Sequence, residues 1–344
     1  LWLEAQLTFQ LEDLDRTATL AAEIIQALDA LVPDSISAQE EETIRSYTLL
    51  LRGQALLKLG RMEAAQEPFE QLRNAFPDSE PAILSRLNEA RFLAGQERSA
   101  EAQRRLADLA TRFPQSRFAP IALYEAAIYA SRQGLERSDA EALQYLEALY
   151  SSYGTHPLAF YARLLQGDIF RKMNRFGAAQ LAYEDLLKAF PNHPEVFLAE
   201  LYRANCLLAQ SSVDEKRLGD AIASLEKLYD RPKAPTDVRV EAGFQWGRAL
   251  LQQGNEQRAQ EVWWLIISRF LRDPATEVTL GAKGRYWMAR TIFELGTVFE
   301  RNANAAEASA VYGLIPEYGL PGIDLATAKI ARLYQKEAVD YSRT

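Results

Sequence analysis

The groups in this 344-residue chain that could do chemistry are two histidines, a single cysteine and 47 acids. His156 and His193 each precede a proline, in Thr155-His156-Pro157 and Asn192-His193-Pro194. A residue before proline is pushed toward extended backbone, which predicts that both lie in turns. No acid is placed to orient either imidazole, and no nucleophile stands at a spacing that would pair with one. Cys206 has no second cysteine, so neither an intramolecular disulfide nor a cysteine-based metal site can form. Its neighbours Leu201, Ala204, Leu207 and Leu208 predict a buried, inert thiol on a helix. The acid run Glu40 to Glu42 carries little information among so many carboxylates. A phosphate-cradling glycine loop and a helical His-Glu-x-x-His are both missing from the sequence. These residues predict a protein that is not an enzyme, with no catalytic residues, no metal and no cofactor.

Charge narrows the partners. The net charge of -8 is concentrated at one end, where residues 1–44 hold ten acids against Arg16 alone. That segment sums to -9, leaving +1 for the other 300 residues. With a pI near 5.2 and no run of Lys or Arg, the electrostatic footprint of a nucleic-acid binder is missing. The acidic end reads as a solvated helix face. The longest strongly apolar stretch, around Val262 to Ile267, is far short of the roughly 18 residues a membrane span needs. The chain opens at Leu1 without methionine, which reads as a cleavage product or a boundary within a longer protein, with targeting information removed.

The elements that carry these residues repeat. Prolines at 33, 77, 114, 157, 191, 232 and 274 each close what reads as an amphipathic helical hairpin. The cleanest unit runs from Tyr47 to Pro77. Gly60 ends its first helix in the left-handed conformation, and Pro77 stops its second. Within it Gly53, Ala65, Phe69 and Leu72 place one apolar stripe on each helix. The skeleton returns as Gly167, Ala179, Tyr183 and Leu186, and again as Gly247, Gly254, Ala259, Trp263 and Ile266. Looser copies are Ala102/Leu106/Leu109, Ala142/Leu146/Leu149, Ala221/Leu225/Leu228 and Ala308/Tyr312/Ile315, with a partial first copy at Ala21/Ile25/Leu28. A glycine inside a helix costs about 1 kcal/mol relative to alanine, so three in one register require close helix approach as compensation. The equivalent positions elsewhere, Ala127, Ala204 and Ala289, are also small.

This pattern resembles the tetratricopeptide repeat, a helix-turn-helix unit of about 34 residues with a small residue in its first helix and a closing proline in its second. The resemblance implies an all-α, right-handed α-solenoid of helix-turn-helix repeats over residues 1–344. Its hairpins are expected at roughly 36–77, 78–114, 115–157, 158–191, 192–232, 233–274 and 275–321, after a partial repeat at 1–35 and before a C-terminal capping helix at 322–344. The family's bulky first-helix residue is kept at Leu49 and Leu123, while Arg163, Gly243 and Arg285 depart from it. Hairpin turns are expected to carry inserts at Gln96-Glu97, Leu135 to Ser138, Ser211 to Lys216 and Thr297 to Ala303. The phrases Ala75-Phe76-Pro77, Arg112-Phe113-Pro114 and Ala189-Phe190-Pro191 are similar in style to repeats of bacterial cell-envelope proteins, including outer-membrane-assembly and Tol-Pal-associated lipoproteins. That likeness implies a periplasmic or cell-envelope location, with the cytoplasm as the alternative.

In this family the concave surface is lined mainly by first-helix residues. Carrying the register across the repeats yields a partner-binding groove of Tyr124, Tyr161, Asp168, Arg171, Tyr202, Asn205, Phe244, Arg248, Tyr286 and Arg290. Tyrosine and arginine are favoured at protein-recognition hot spots. The family's two-carboxylate clamp needs a lysine and an asparagine one turn apart, and Asn205 follows Leu201 instead. Trp263 falls on the core register, with Trp264 one position aside. The implied function is a non-catalytic scaffold that holds a peptide or helix of another protein. Alternatives are a structural spacer or self-assembly module pairing through its terminal repeats, and an accessory region of a larger enzyme.

Overall fold

The computed structural model describes residues 1–32, 35–212, 214–273 and 280–341, with side chains as far as residue 335. Pro33 and Pro274 of the proline series lie outside the described residues. The described residues form seventeen α-helices and no strand, so the chain is an all-α array of helical hairpins. Contacts divide it into two compact units, 1–169 and 170–344, with the division inside α9.

Unit 1 comprises α1 (Trp2–Gln10), α2 (Leu14–Asp29), α3 (Ala38–Lys58), α4 (Met62–Ala75), α5 (Glu80–Gly95), α6 (Ser99–Arg112), α7 (Ala119–Arg132), α8 (Glu136–Ser152) and most of α9 (Leu158–Lys172). Unit 2 continues with α10 (Phe176–Ala189), α11 (Val196–Gln210), α12 (Glu215–Tyr229), α13 (Thr236–Gln252), α14 (Glu256–Phe270), α15 (Ala282–Arg301), α16 (Ala305–Glu317) and α17 (Ile323–Tyr341). Odd-numbered helices from α3 to α15 are the first members of their hairpins, and the even-numbered ones the second. First helices also stack on the next first helix, α3 on α5, α11 on α13 and α13 on α15.

Turn chemistry explains where six of the seven first helices, all but α11, stop. The stop residue takes positive φ at Gly60 (75°), Gly134 (70°) and Gly254 (87°), and also at Glu97 (61°), Asn174 (57°) and Ala303 (58°). Past it, the chain folds back: the N–H of Arg61 donates to Leu56 O, Arg98 to Leu93 O, Asn255 to Leu250 O and Asn304 to Phe299 O. These bonds satisfy carbonyls the helix end leaves open.

The second helices α4, α6, α8 and α10 stop by a different device. Phe76, Phe113, Tyr153 and Phe190 occupy the C-cap with φ between -125° and -136°. Proline follows at 77, 114 and 191, where no further helical hydrogen bond is needed. Pro157 breaks the expected pattern, because it stands immediately before α9 and so opens a hairpin; α8 already ends at Ser152.

The packing register is realised through a glycine set against a ring. A Cβ on Gly53 would lie 2.1 Å from the Phe69 ring, and one on Gly247 would lie 2.1 Å from Trp263 Nε1. Gly243, where the family's bulky residue is missing, gives a second close approach to Ile266 and Tyr229. The other two departures are also accommodated. Arg163 lies 3.9 Å over the Tyr150 ring and pairs with Glu147 at 2.9 Å, while Arg285 Nη2 donates to the carbonyls of Tyr318 and Gly319.

Two expectations about the last hairpins need correction. Ala289 is buried, but the close approach comes seven residues later at Gly296, whose Cβ would lie 2.4 Å from Tyr312. The reason is that most of Thr297 to Ala303 lengthens α15, which runs to Arg301, and the turn occupies only 302–304. Similarly α8 begins at Glu136, so most of the segment from Leu135 to Ser138 is helix.

The second-helix triads from Ala65/Phe69/Leu72 to Ala308/Tyr312/Ile315 are all buried. In α2 the middle position shifts from Ile25, which is partly exposed, to the buried Ile24.

Candidate functional site

The groups with chemical potential serve the turns and the core. His156 Nδ1 accepts the Leu158 N–H at 3.1 Å, and His193 Nδ1 accepts the Glu195 N–H at 3.2 Å. Both imidazoles thus hold inter-repeat turns. Cys206 is fully buried on α11. Among the described residues, no group of three or more His, Cys, Asp or Glu is placed to hold a metal ion, and no helix is long and apolar enough to cross a membrane.

In unit 1 the sequence-derived groove residues Tyr124 on α7 and Tyr161 and Asp168 on α9 are partly buried, and Tyr161 meets Phe160 edge-to-face at 5.3 Å. In unit 2 the residues fall into two clusters. Arg171 lies 4.8 Å from the Tyr202 ring centroid, and Lys283 Nζ lies 5.7 Å from the same ring. Lys283 also pairs with the buried Glu241 at 2.8 Å. Burial pulls the Lys283 pKa down, but the bond to Glu241 and the Tyr202 oxygen outweigh it and hold the ammonium above its ordinary value. Tyr202 is therefore an aromatic already occupied by two cations.

The second cluster joins α13 and α15. Arg290 lies 5.6 Å over Phe244, donates to Tyr286 Oη at 3.3 Å and approaches Glu294 at 3.9 Å. Tyr286 is 46% exposed. Phe244 corrects the sequence reading: it is 0% exposed, with Trp287 packed 4.9 Å away, and is a core residue. Trp263 is also core, as its register predicts, and its Nε1–H donates to Phe244 O at 3.4 Å.

Arg248 is exposed and makes no ion pair among the described residues. It lines an open cleft of about 490 Å3 built from three successive first helices of unit 2, with Leu208 of α11, Gln245 and Gln252 of α13 and Glu294 of α15. Close by in sequence, Asn205 Oδ1 is buried without a donor. Leaving such an acceptor unbonded costs on the order of 1 to 3 kcal/mol.

Sequence reading missed the counterpart in unit 1. A cleft of about 310 Å3 lies on the first-helix face of α3 and α5, walled by Phe9, Leu57 and Phe92 and rimmed by Lys58 and Arg91. Asn88 Nδ2 is buried there without an acceptor. The available signal was positional: Asn88 stands two residues before the buried Ala90 on a first helix, while the groove had been traced only from Tyr124 onward.

The tetratricopeptide-repeat family matches this chain twice, over residues 47–79 and 164–238. Among solved structures, the C-terminal part of a TPR repeat-containing protein from Cytophaga hutchinsonii superposes with a TM-score of 0.56 at 13% identity, covering 82% of this chain and all of the other. The apo form of RapI superposes with a TM-score of 0.51 at 8% identity, covering 98% of this chain and 97% of the other. No curated protein matches the sequence. The fold defines a helical-hairpin repeat protein. This chain carries tetratricopeptide repeats over residues 47–79 and 164–238, and repeats of that kind point to a protein–protein interaction scaffold.

Proposed function

We propose that the protein captures an extended segment or helix of a partner protein on its first-helix faces, without catalysing a reaction. The carrying observation is the open cleft of unit 2, where the exposed Arg248 faces Gln245, Gln252 and Glu294. A polar rim over an apolar floor suits main-chain and side-chain recognition together. Tyr286 supplies the exposed aromatic edge, and Arg171 and Arg290 act through the rings they support. Tyr124, Tyr161 and Asp168 extend the same first-helix reading in unit 1.

A photo-crosslinking residue at Gln245 or Tyr286 should yield a covalent adduct with the partner, and Arg248→Glu should abolish it. The same residue at Leu265, exposed on the second helix α14, should not react. Equal labelling from Leu265 would overturn the first-helix reading. A cell-envelope location is proposed on repeat style alone, and recovery in the cytosolic fraction after cell fractionation would refute it.

A second reading, self-assembly, has its own observation. Leu3 and Leu7 of α1 and its C-cap Leu11 recur at a spacing of four and are 78%, 54% and 71% exposed. If α1 pairs between copies, light scattering should show mass rising with concentration and Leu7→Lys should hold the protein monomeric.

A further inference from the structure

The second-helix side of unit 1 carries a cleft of about 540 Å3 between α4 and α6, floored by α5. Four arginines line it, and they divide into two that are satisfied and two that are not. Arg73 gives both terminal nitrogens to the buried Glu89, at 2.6 and 3.3 Å. Arg105 bonds Glu101 at 3.0 Å and reaches Glu89 at 3.5 Å. Among the described residues neither Arg86 nor Arg104 makes an ion pair. Arg86 Nε is buried with no acceptor among the described residues, and its guanidinium lies 5.7 Å from the Phe113 ring. Burial, and then the like charges of Arg73 and Arg112, disfavour its cationic form more than the carboxylates of Asp108 and Glu89 favour it. A guanidinium keeps its proton at any physiological pH, so the remaining way to compensate it is an anion.

We propose that this cleft binds a phosphate group between Arg86 and Arg104. The lining already contains the carboxylates of Glu70 and Asp108. Asp108 turns to Arg112 at 3.6 Å instead of Arg86. An incoming carboxylate would therefore duplicate groups that the site already holds without pairing them to Arg86 or Arg104. Phosphate differs in two respects: it carries up to two charges, and its oxygens spread tetrahedrally, so one group can accept from two guanidinium forks at once. The cleft is much larger than a phosphate, which leaves room for the carrier of a phosphomonoester. The cleft opens on the second-helix side, between α4 and α6, apart from the clefts of the first-helix reading, so its failure leaves that reading untouched.

The test is a titration of the whole chain with inorganic phosphate, O-phosphoserine and glutarate at fixed ionic strength, followed by calorimetry and two-dimensional NMR. Saturable binding of phosphate or phosphoserine, with glutarate inert, is the expected result. Arg104→Gln, at an exposed position, and Arg86→Gln should each weaken binding by about tenfold or more. Glu70→Gln should tighten it by removing a competing charge. Tighter phosphoserine than inorganic phosphate identifies a phosphomonoester, and equal affinity identifies the free anion. No saturable binding, glutarate binding as well as phosphate, or Arg104→Gln with unchanged affinity would each overturn the proposal.

Discussion

Ala303 holds a left-handed φ of 58° at the end of α15, where three other hairpins use glycine. An L-residue there is strained by roughly 1 kcal/mol or more, because its Cβ crowds the neighbouring carbonyl. Ala303→Gly should therefore raise stability by about 0.5 to 1 kcal/mol in chemical denaturation, despite glycine's greater unfolded-state entropy. Glu300 shows the opposite case, a residue bound from three sides. Its carboxylate accepts from Lys329 Nζ at 2.7 Å, from Arg332 at 2.6 Å and from Tyr312 Oη, tying α15 to α16 and α17. Burial pushes its pKa up, but the bonds from Lys329, Tyr312 and Arg332 prevail and hold it below the ordinary 4.5. A depressed folded-state pKa stabilises above the unfolded value, and that stability is lost as pH falls through the folded one. Lys329 is shifted the other way: burial lowers its pKa, but its bonds to Glu300 and Tyr312 raise it above 10.5, so its share fails only on the alkaline side. Glu300→Gln should cost about 1 to 3 kcal/mol at pH 7 and flatten the acid loss that sets in as pH falls below the ordinary carboxylate range, measured by melting at a series of pH values.

At the scale of the element, the hairpin is a glycine facing a ring sixteen residues on, 53 to 69, 247 to 263 and 296 to 312. Gly247→Leu should cost about 1 to 3 kcal/mol or more by overpacking, and Trp263→Ala about 3 to 5 kcal/mol by leaving a cavity. Because both act on one contact, Gly247→Ala combined with Trp263→Phe should be less destabilising than the sum of the two single changes. Additive losses in urea melts would mean that the glycine does not serve this packing. The alternation of small and large residues was legible because it repeats. The register at Ala289 was not, since the extra residues of this hairpin lengthen a helix instead of its turn, and helix length is decided by what the extra turn packs on.

At the scale of the molecule, stability of stacked hairpins approximates a sum of local and nearest-neighbour contributions. Gly53 and Gly296 share no contact partner, so Gly53→Ala and Gly296→Ala should add to within about 0.5 kcal/mol. A larger coupling, read from the double variant's denaturation midpoint, would show cooperativity beyond neighbouring hairpins. The sequence by itself determined the class of fold, the residues of nearly every helix seam and the use of both histidines in turns. It could do so because helical periodicity fixes which side of a helix a residue occupies, and chain order fixes which helix it meets first. Tertiary structure alone decided which of the non-repeating residues remain open. Phe244 and Arg248 stand one turn apart on α13, yet one is sealed by Trp287 and the other lies exposed in a cleft. The unpartnered Asn88 and Arg86 are likewise products of neighbours on other helices. Exposure at such positions depends on side chains that follow no period, and only the packed hairpins bring them together.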